Sequence, residues 1–85
     1  MLTVNFSKQS EKTIDKLIKK EPQIIRLIHK KIEELSCNPN PTNCKKLTNR
    51  SELRVRVRDY HIIYEYDEKF LYIIIIDKRD KVYKL

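Results

Sequence analysis

Arg54, Arg56 and Arg58 take every second position in LRVRVRDYHIIYEY, residues 53–66, with Leu53, Val55 and Val57 interleaved. Side chains of an extended chain alternate between faces, so this spacing gathers three guanidinium groups on one side and three aliphatic groups on the other. An antiparallel sheet with one solvated face also alternates apolar and charged residues, but such a face mixes signs to limit repulsion. Here Lys45, Lys46, Arg50, Arg54, Arg56 and Arg58 meet only Glu52 and Asp59. Arginine is a planar, permanently charged fork suited to bidentate contact with phosphate, whereas lysine suffices for solubility. Phosphate is therefore the indicated ligand. The ending DKRDKVYKL adds Lys78, Arg79, Lys81 and Tyr83 just beyond an apolar run, at a strand end where sites often sit.

The elements that position these groups follow from period and punctuation. Leu2, Val4 and Phe6 alternate with Thr3, Asn5 and Ser7, which predicts a half-buried strand. Ile14, Leu17 and Ile18 then recur at helical spacing, with Ser7 or Ser10 available as a cap. Pro22 is tolerated in a first helical turn but not inside a helix, so a second helix is expected from about Glu21. Its apolar stripe is Ile24, Ile25, Leu27, Ile28, Ile32 and Leu35, and SCNPNPTN ends it. Strands are predicted over Leu53 to Val57, Tyr60 to Tyr66 and Phe70 to Ile76, the last two joined by a tight hairpin at DEK. Leu53, Val55, Val57, Ile62 and Tyr64 should point inward. The expected fold class is α+β: a small antiparallel sheet packed on two N-terminal helices, in the order β-α-α-β-β-β, as one domain over residues 1–85.

Composition bounds the function. The 85 residues carry 19 Lys+Arg against 12 Asp+Glu, a net charge of +7, which favours polyanionic partners. The chain has no glycine, which excludes glycine-rich phosphate loops and dinucleotide fingerprints. The longest apolar run, Phe70 to Ile76, is far short of the ~20 residues that span a bilayer, so no membrane association is expected. MLTVNFSK shows no secretion pattern, and the expected location is the cytoplasm. Cys37 and Cys44 flank the Pro- and Asn-rich loop at a spacing that fits no common zinc pattern. Reduced thiols, no metal and no cofactor are the expectation.

The order of elements, the stretch LRVRVRDYHIIYEY and the ending DKRDKVY together resemble the RelE/ParE superfamily of small toxins of type II toxin-antitoxin systems, with the RelE-like branch most similar. The first stretch is similar to the family's Tyr-Arg-(Ile/Val)-Arg-Val-Gly-Asp-Tyr-Arg-(Ile/Val)-Ile-Tyr, the second to its His-Arg-x-x-x-Tyr, and the likeness covers nearly the whole chain. The resemblance implies an mRNA interferase, an endoribonuclease that enters the ribosomal A site and cuts the messenger there. It also implies inhibition by a cognate antitoxin, a small, partly acidic protein with a DNA-binding half. By that resemblance catalytic roles fall on Arg54, Arg56, Arg79 and Tyr83, with His61 a further catalytic candidate, while the charge excess makes Lys45, Lys46, Arg50, Arg58, Lys78 and Lys81 the expected RNA contacts. Two positions depart from the pattern: His61 stands where the family usually has arginine, and Arg58 where it often has glycine, so that either His61 has acquired a base or acid role or this is an attenuated or differently targeted member.

Metal-free RNA cleavage has the ribose 2′-oxygen attack the adjacent phosphorus and expel the next 5′-oxygen. Arg54, Arg56 and Arg79 suit the charge that develops on the phosphoryl oxygens, but a guanidinium cannot take the 2′-hydroxyl proton. Tyr83 and His61 are the candidate bases; surrounding cations favour the phenolate of one and the neutral imidazole of the other. Two other functions compete. One is a ParE-like toxin that poisons DNA gyrase without cutting RNA, since that branch shares the fold. The other is a basic nucleic-acid-binding module without activity, which would show log K falling by ~0.7 per phosphate contacted on a single strand.

Overall fold

The computed structural model describes residues 1–41, 45, 46 and 52–78. The elements run β1 (Thr3–Phe6), α1 (Lys8–Lys20), α2 (Pro22–Cys37), β2 (Lys45–Lys46), β3 (Leu53–Val57), β4 (Tyr60–Tyr66) and β5 (Phe70–Lys78). One sheet holds the strands in the order β1-β5-β4-β3-β2, with both helices packed on one of its faces. The expected antiparallel arrangement is present from β2 through β5. The short β1, whose partner an alternating pattern leaves open, adds in parallel beside β5, which makes the sheet mixed. The last strand continues two residues beyond Ile76, to Lys78.

Local chemistry sets the helix boundaries. Ser7 has extended backbone, and its Oγ accepts the Ser10 N–H at 3.1 Å, satisfying one of the open donors of the α1 N-terminus. Lys19 and Lys20 in the last turn complement the negative end of the helix dipole. Pro22 opens α2, where the missing N–H has no helical acceptor to lose.

The core joins Leu17, Ile28, Ile32 and Leu35 of the helices to Val55, Val57, Tyr60, Ile62, Tyr64, Leu71, Ile73 and Ile76 of the sheet. Each fully buried aliphatic side chain contributes about 1.5–3 kcal/mol. The five residues expected to point inward do so, with Leu53 half-buried at the margin. The Tyr64 hydroxyl donates to the Pro39 carbonyl at 2.7 Å and so ties the segment after α2 to the sheet.

Two features of β5 shape the rest of the sheet. β1 covers only the first part of this nine-residue strand, and α1 takes over beyond it. Ser7 donates its hydroxyl to the Ile74 carbonyl, while the Gln9 side-chain amide both accepts the Ile76 N–H and donates to the Ile76 carbonyl, each at 3.1 Å. These bonds stand in for the missing neighbouring strand. In addition, the register of β4 against β5 slips by one residue, from Ile63↔Ile75 to Tyr64↔Ile73, leaving Ile74 as a bulge. The bulge lets Ile73 and Ile76, three apart, both face the core, and it reverses the facing of everything after Ile74.

Candidate functional site

The face of the sheet turned away from the helices carries the arginine stripe. Pairing places Arg54 opposite Ile63 and Arg56 opposite His61, and β5 continues these rows with Ile75 and Asp77. One row thus reads Arg56, His61, Asp77 across three strands. The next reads Arg54, Ile63, Ile75, with Lys45 of β2 aligned on Arg54. Arg56 is exposed, Arg54 half-buried, and His61 only 3% exposed although it lies on the face opposite the helices.

A two-residue turn, Arg58 and Asp59, links β3 to β4. Arg58 has φ 57°, a left-handed conformation that costs a residue bearing a Cβ roughly 1–2 kcal/mol. Glycine adopts it freely, which is the physical reason a glycine suits this position in the RelE/ParE pattern. The Arg56 Nε–H donates to the Arg58 carbonyl at 2.7 Å, so one edge of its guanidinium braces the turn. Among the described residues no carboxylate lies within ion-pair distance of Arg56 or Arg58. The N–H groups of Arg56 other than Nε, held on the sheet in this way, can bind a phosphoryl group without first breaking an ion pair.

Not every sequence candidate joins this face. Lys78 pairs with Tyr60 and Tyr60 with Val57, on the helix side. There Lys78 and Asp77 line a groove of about 510 Å³ with Thr13, Lys16, Lys20, Glu21 and Tyr60. The Tyr60 hydroxyl donates to Glu21 Oε2 at 2.9 Å. Burial, that bond and the nearby Glu21, Asp77 and Asp59 charges push its pKa up to about 12, so this tyrosine keeps its proton and cannot serve as a base. Lys46 aligns with Leu53 in the β2 pairing. Arg50, Arg79, Lys81 and Tyr83 lie outside the described residues, as does Cys44, while Cys37 is an exposed free thiol.

The register that sequence reasoning missed is that of Asp77. Counting alternate positions from the inward Leu71 turns 73, 75 and 77 inward as well. The bulge at Ile74 breaks that count and sets Asp77 opposite His61. A run of four isoleucines gives no sign of where such a bulge falls.

The family model described as ParE toxin of type II toxin-antitoxin system, parDE, matches residues 4–83. No curated protein matches the chain by sequence at a significant level. Among solved structures, the chain is similar to a YoeB/ParE toxin from Agrobacterium tumefaciens, with TM-score 0.82 at 10% identity over 92% of this chain and 99% of that one. It is similar to the toxin-antitoxin complex RelBE2 from Mycobacterium tuberculosis, with TM-score 0.74 at 23% identity over 92% and 98% of the two chains. The DinJ-YafQ complex from E. coli gives TM-score 0.70 at 14% identity over 98% and 99%. At these identities the likeness is one of fold.

Proposed function

The chain belongs to the ParE toxin family of type II toxin-antitoxin systems, within the RelE/ParE superfamily, and from that membership we propose that it is a ribosome-dependent endoribonuclease that cuts messenger RNA in the ribosomal A site. The observation that carries this reading is the gathering of Arg54, Arg56 and His61 on the sheet face opposite the helices. The chemistry uses no metal: the 2′-oxygen attacks phosphorus while Arg54 and Arg56, joined by Arg79 on the grounds of resemblance, stabilise the charge on the phosphoryl oxygens. The 2′-hydroxyl proton passes to Tyr83 or His61. So few acid-base groups make a weak nuclease on free RNA, which accounts for a need for the ribosome to arrange the substrate.

Toxin-antitoxin complexes among the similar structures support a cognate antitoxin as the partner that holds the protein inactive. A cytoplasmic location follows from a ribosomal target, and among the described residues no helix is long and apolar enough to cross a membrane.

The ParE description of the matching family model favours a second reading, a toxin that poisons DNA gyrase through the same fold. One paired experiment separates them. The purified protein is added to programmed ribosomes, with messenger cleavage mapped by primer extension, and to gyrase in a supercoiling assay. The proposal predicts A-site cleavage and unaffected supercoiling. Intact messenger with blocked supercoiling would replace it with the second reading.

A further inference from the structure

We propose that α1 carries a second RNA-binding surface, a row of lysines that docks on the duplex backbone of ribosomal RNA while the arginine face handles the messenger; this rests on the endoribonuclease reading. Lys8, Lys12, Lys16 and Lys20 follow one another at intervals of four residues, so consecutive members stand about 6 Å apart along one flank of the helix. All four are exposed, and among the described residues none has a carboxylate within ion-pair distance. The row runs into the groove between α1 and the sheet, which Lys16 and Lys20 line together with Lys78 at the end of β5.

Such a row works against the helix that bears it. Lysines four apart repel one another, whereas a helix face that is merely solvated gains support by alternating signs at this spacing. Within α1 no acid stands three or four residues from Lys16 or Lys20. The two carboxylates of the groove are already bonded: Glu21 Oε2 accepts the Tyr60 hydroxyl at 2.9 Å, and Asp77 Oδ1 accepts the Lys78 N–H at 2.8 Å. The repulsion is relieved when a polyanion lies along the row.

The composition of this flank selects the occupant. Lysine is a compact point charge without the bidentate fork of arginine, which suits sequence-independent contact with phosphates. A single strand is held by aromatic rings that stack on its bases, and the one aromatic ring lining the groove, that of Tyr60, is buried. A protein partner needs an apolar anchor, and the exposed apolar residue of α1, Ile18, falls on the opposite side of the helix from Lys16 at 100° per residue. A duplex RNA backbone asks only for charges placed along it. The arginine stripe lies on the other face of the sheet, so the two basic surfaces can meet ribosomal RNA and messenger at once.

The test measures binding to vacant ribosomes, which hold no messenger, by sedimentation across a salt series. The triple variant Lys12→Gln, Lys16→Gln, Lys20→Gln loses repulsion inside α1, so it should keep the circular dichroism and thermal midpoint of the parent. Its affinity should fall at least ~10-fold at about 100 mM salt, and the slope of log K against log salt should shrink by about 2–3, since each phosphate contact contributes ~0.7–0.9. Arginine at the same three positions should restore binding. A control that loses the same charge at exposed positions off the row, Arg26→Gln, Lys30→Gln, Lys69→Gln, should bind nearly as the parent does. Equal weakening by the control overturns the docking surface in favour of net charge alone. Unchanged binding by the row variant also overturns it, and parallel titrations with long messenger and with the cognate antitoxin then show which of them takes the row instead. A parent that binds vacant ribosomes through the row but leaves messenger intact overturns the endoribonuclease reading and not the docking surface, whereas a parent that binds no ribosome overturns both.

Discussion

On the helix-packed face of the sheet, Val55, Val57, Ile62, Tyr64, Leu71, Ile73 and Ile76 are buried among aliphatic neighbours from α1 and α2. On the opposite face, Arg54, Arg56, His61 and Asp77 share two adjacent rows with Ile63 and Ile75. The same three strands supply both sets, because alternation sends neighbouring residues to different faces. One face therefore holds the fold together by removing apolar surface from water. The other interleaves buried Ile63 and His61 with the charged Arg54 and Arg56, and it ends in a turn that holds Arg58 in the left-handed region. Substitutions one residue apart on β3 or β4 should thus damage different properties.

The largest expected effect on stability comes from the helix side. Ile62→Ala removes a fully buried side chain and leaves a cavity, and it should lower the unfolding free energy by about 2–5 kcal/mol in a denaturant titration. Arg56→Ala, on a strand beside it but facing outward and exposed, should change that free energy by no more than about 1 kcal/mol, the contribution of its bond to the Arg58 carbonyl. Equal losses for the two would erase the distinction between the faces.

Next is the stitch between α1 and β5. Gln9→Ala strips partners from the N–H and carbonyl of Ile76, and a loss of about 1–2 kcal/mol is expected. Amide exchange at Ile76 should accelerate more than at Ile73, whose carbonyl accepts the Ser7 backbone N–H. Uniform acceleration along β5 would show that Gln9 does not act locally.

Tyr60→Phe removes the bond to Glu21 and should cost about 1 kcal/mol at neutral pH. Its pH dependence has a definite sign. The folded pKa is raised from the ordinary 10 to about 12, so the contribution of Tyr60 is complete below pH 10 and is lost as pH rises toward 12. The stability gap between parent and variant should close over that interval, as followed by circular dichroism. A constant gap would contradict the burial and hydrogen bonding assigned to this phenol.

The smallest effect, and the only gain, is expected at the turn. Arg58→Gly relieves a left-handed arginine but loosens the unfolded chain, for a net stabilisation of about 0.5 kcal/mol. A loss of stability would mean that the Arg58 side chain contributes more to the folded state than its backbone strain removes.

Much of this architecture is legible in the chain itself. The alternation from Leu53 to Arg58 specifies which side chains meet the helices, and the change of period after Ser7 together with Pro22 marks both helices. Pairing is less legible. The pattern Leu2, Val4, Phe6 announces a strand but does not say that it lies parallel to β5 at the far end of the chain. The bulge is hidden because Ile73 through Ile76 are chemically identical, so no change of polarity marks the extra residue. The facing of Asp77 is illegible for that reason, and so is the departure of Lys78 to the helix side. The Gln9 bonds are hidden by ordinary composition, since a glutamine in a first helical turn attracts no notice until β5 is seen to outrun β1.

The central claim is that the arginine-bearing face, opposite the helices, handles the phosphate of a messenger held on the ribosome. Its most direct test is cleavage of messenger on programmed ribosomes by the double variant Arg54→Ala, Arg56→Ala, with circular dichroism and denaturant titration run beside it. Removing one preorganised donor from a developing oxyanion typically costs 10²–10³ in rate, so the double variant should lose at least ~10²-fold while its unfolding free energy stays within about 1 kcal/mol of the parent. A folded double variant that cleaves at the parent rate would contradict the account and reduce the arginine stripe to a solvated surface.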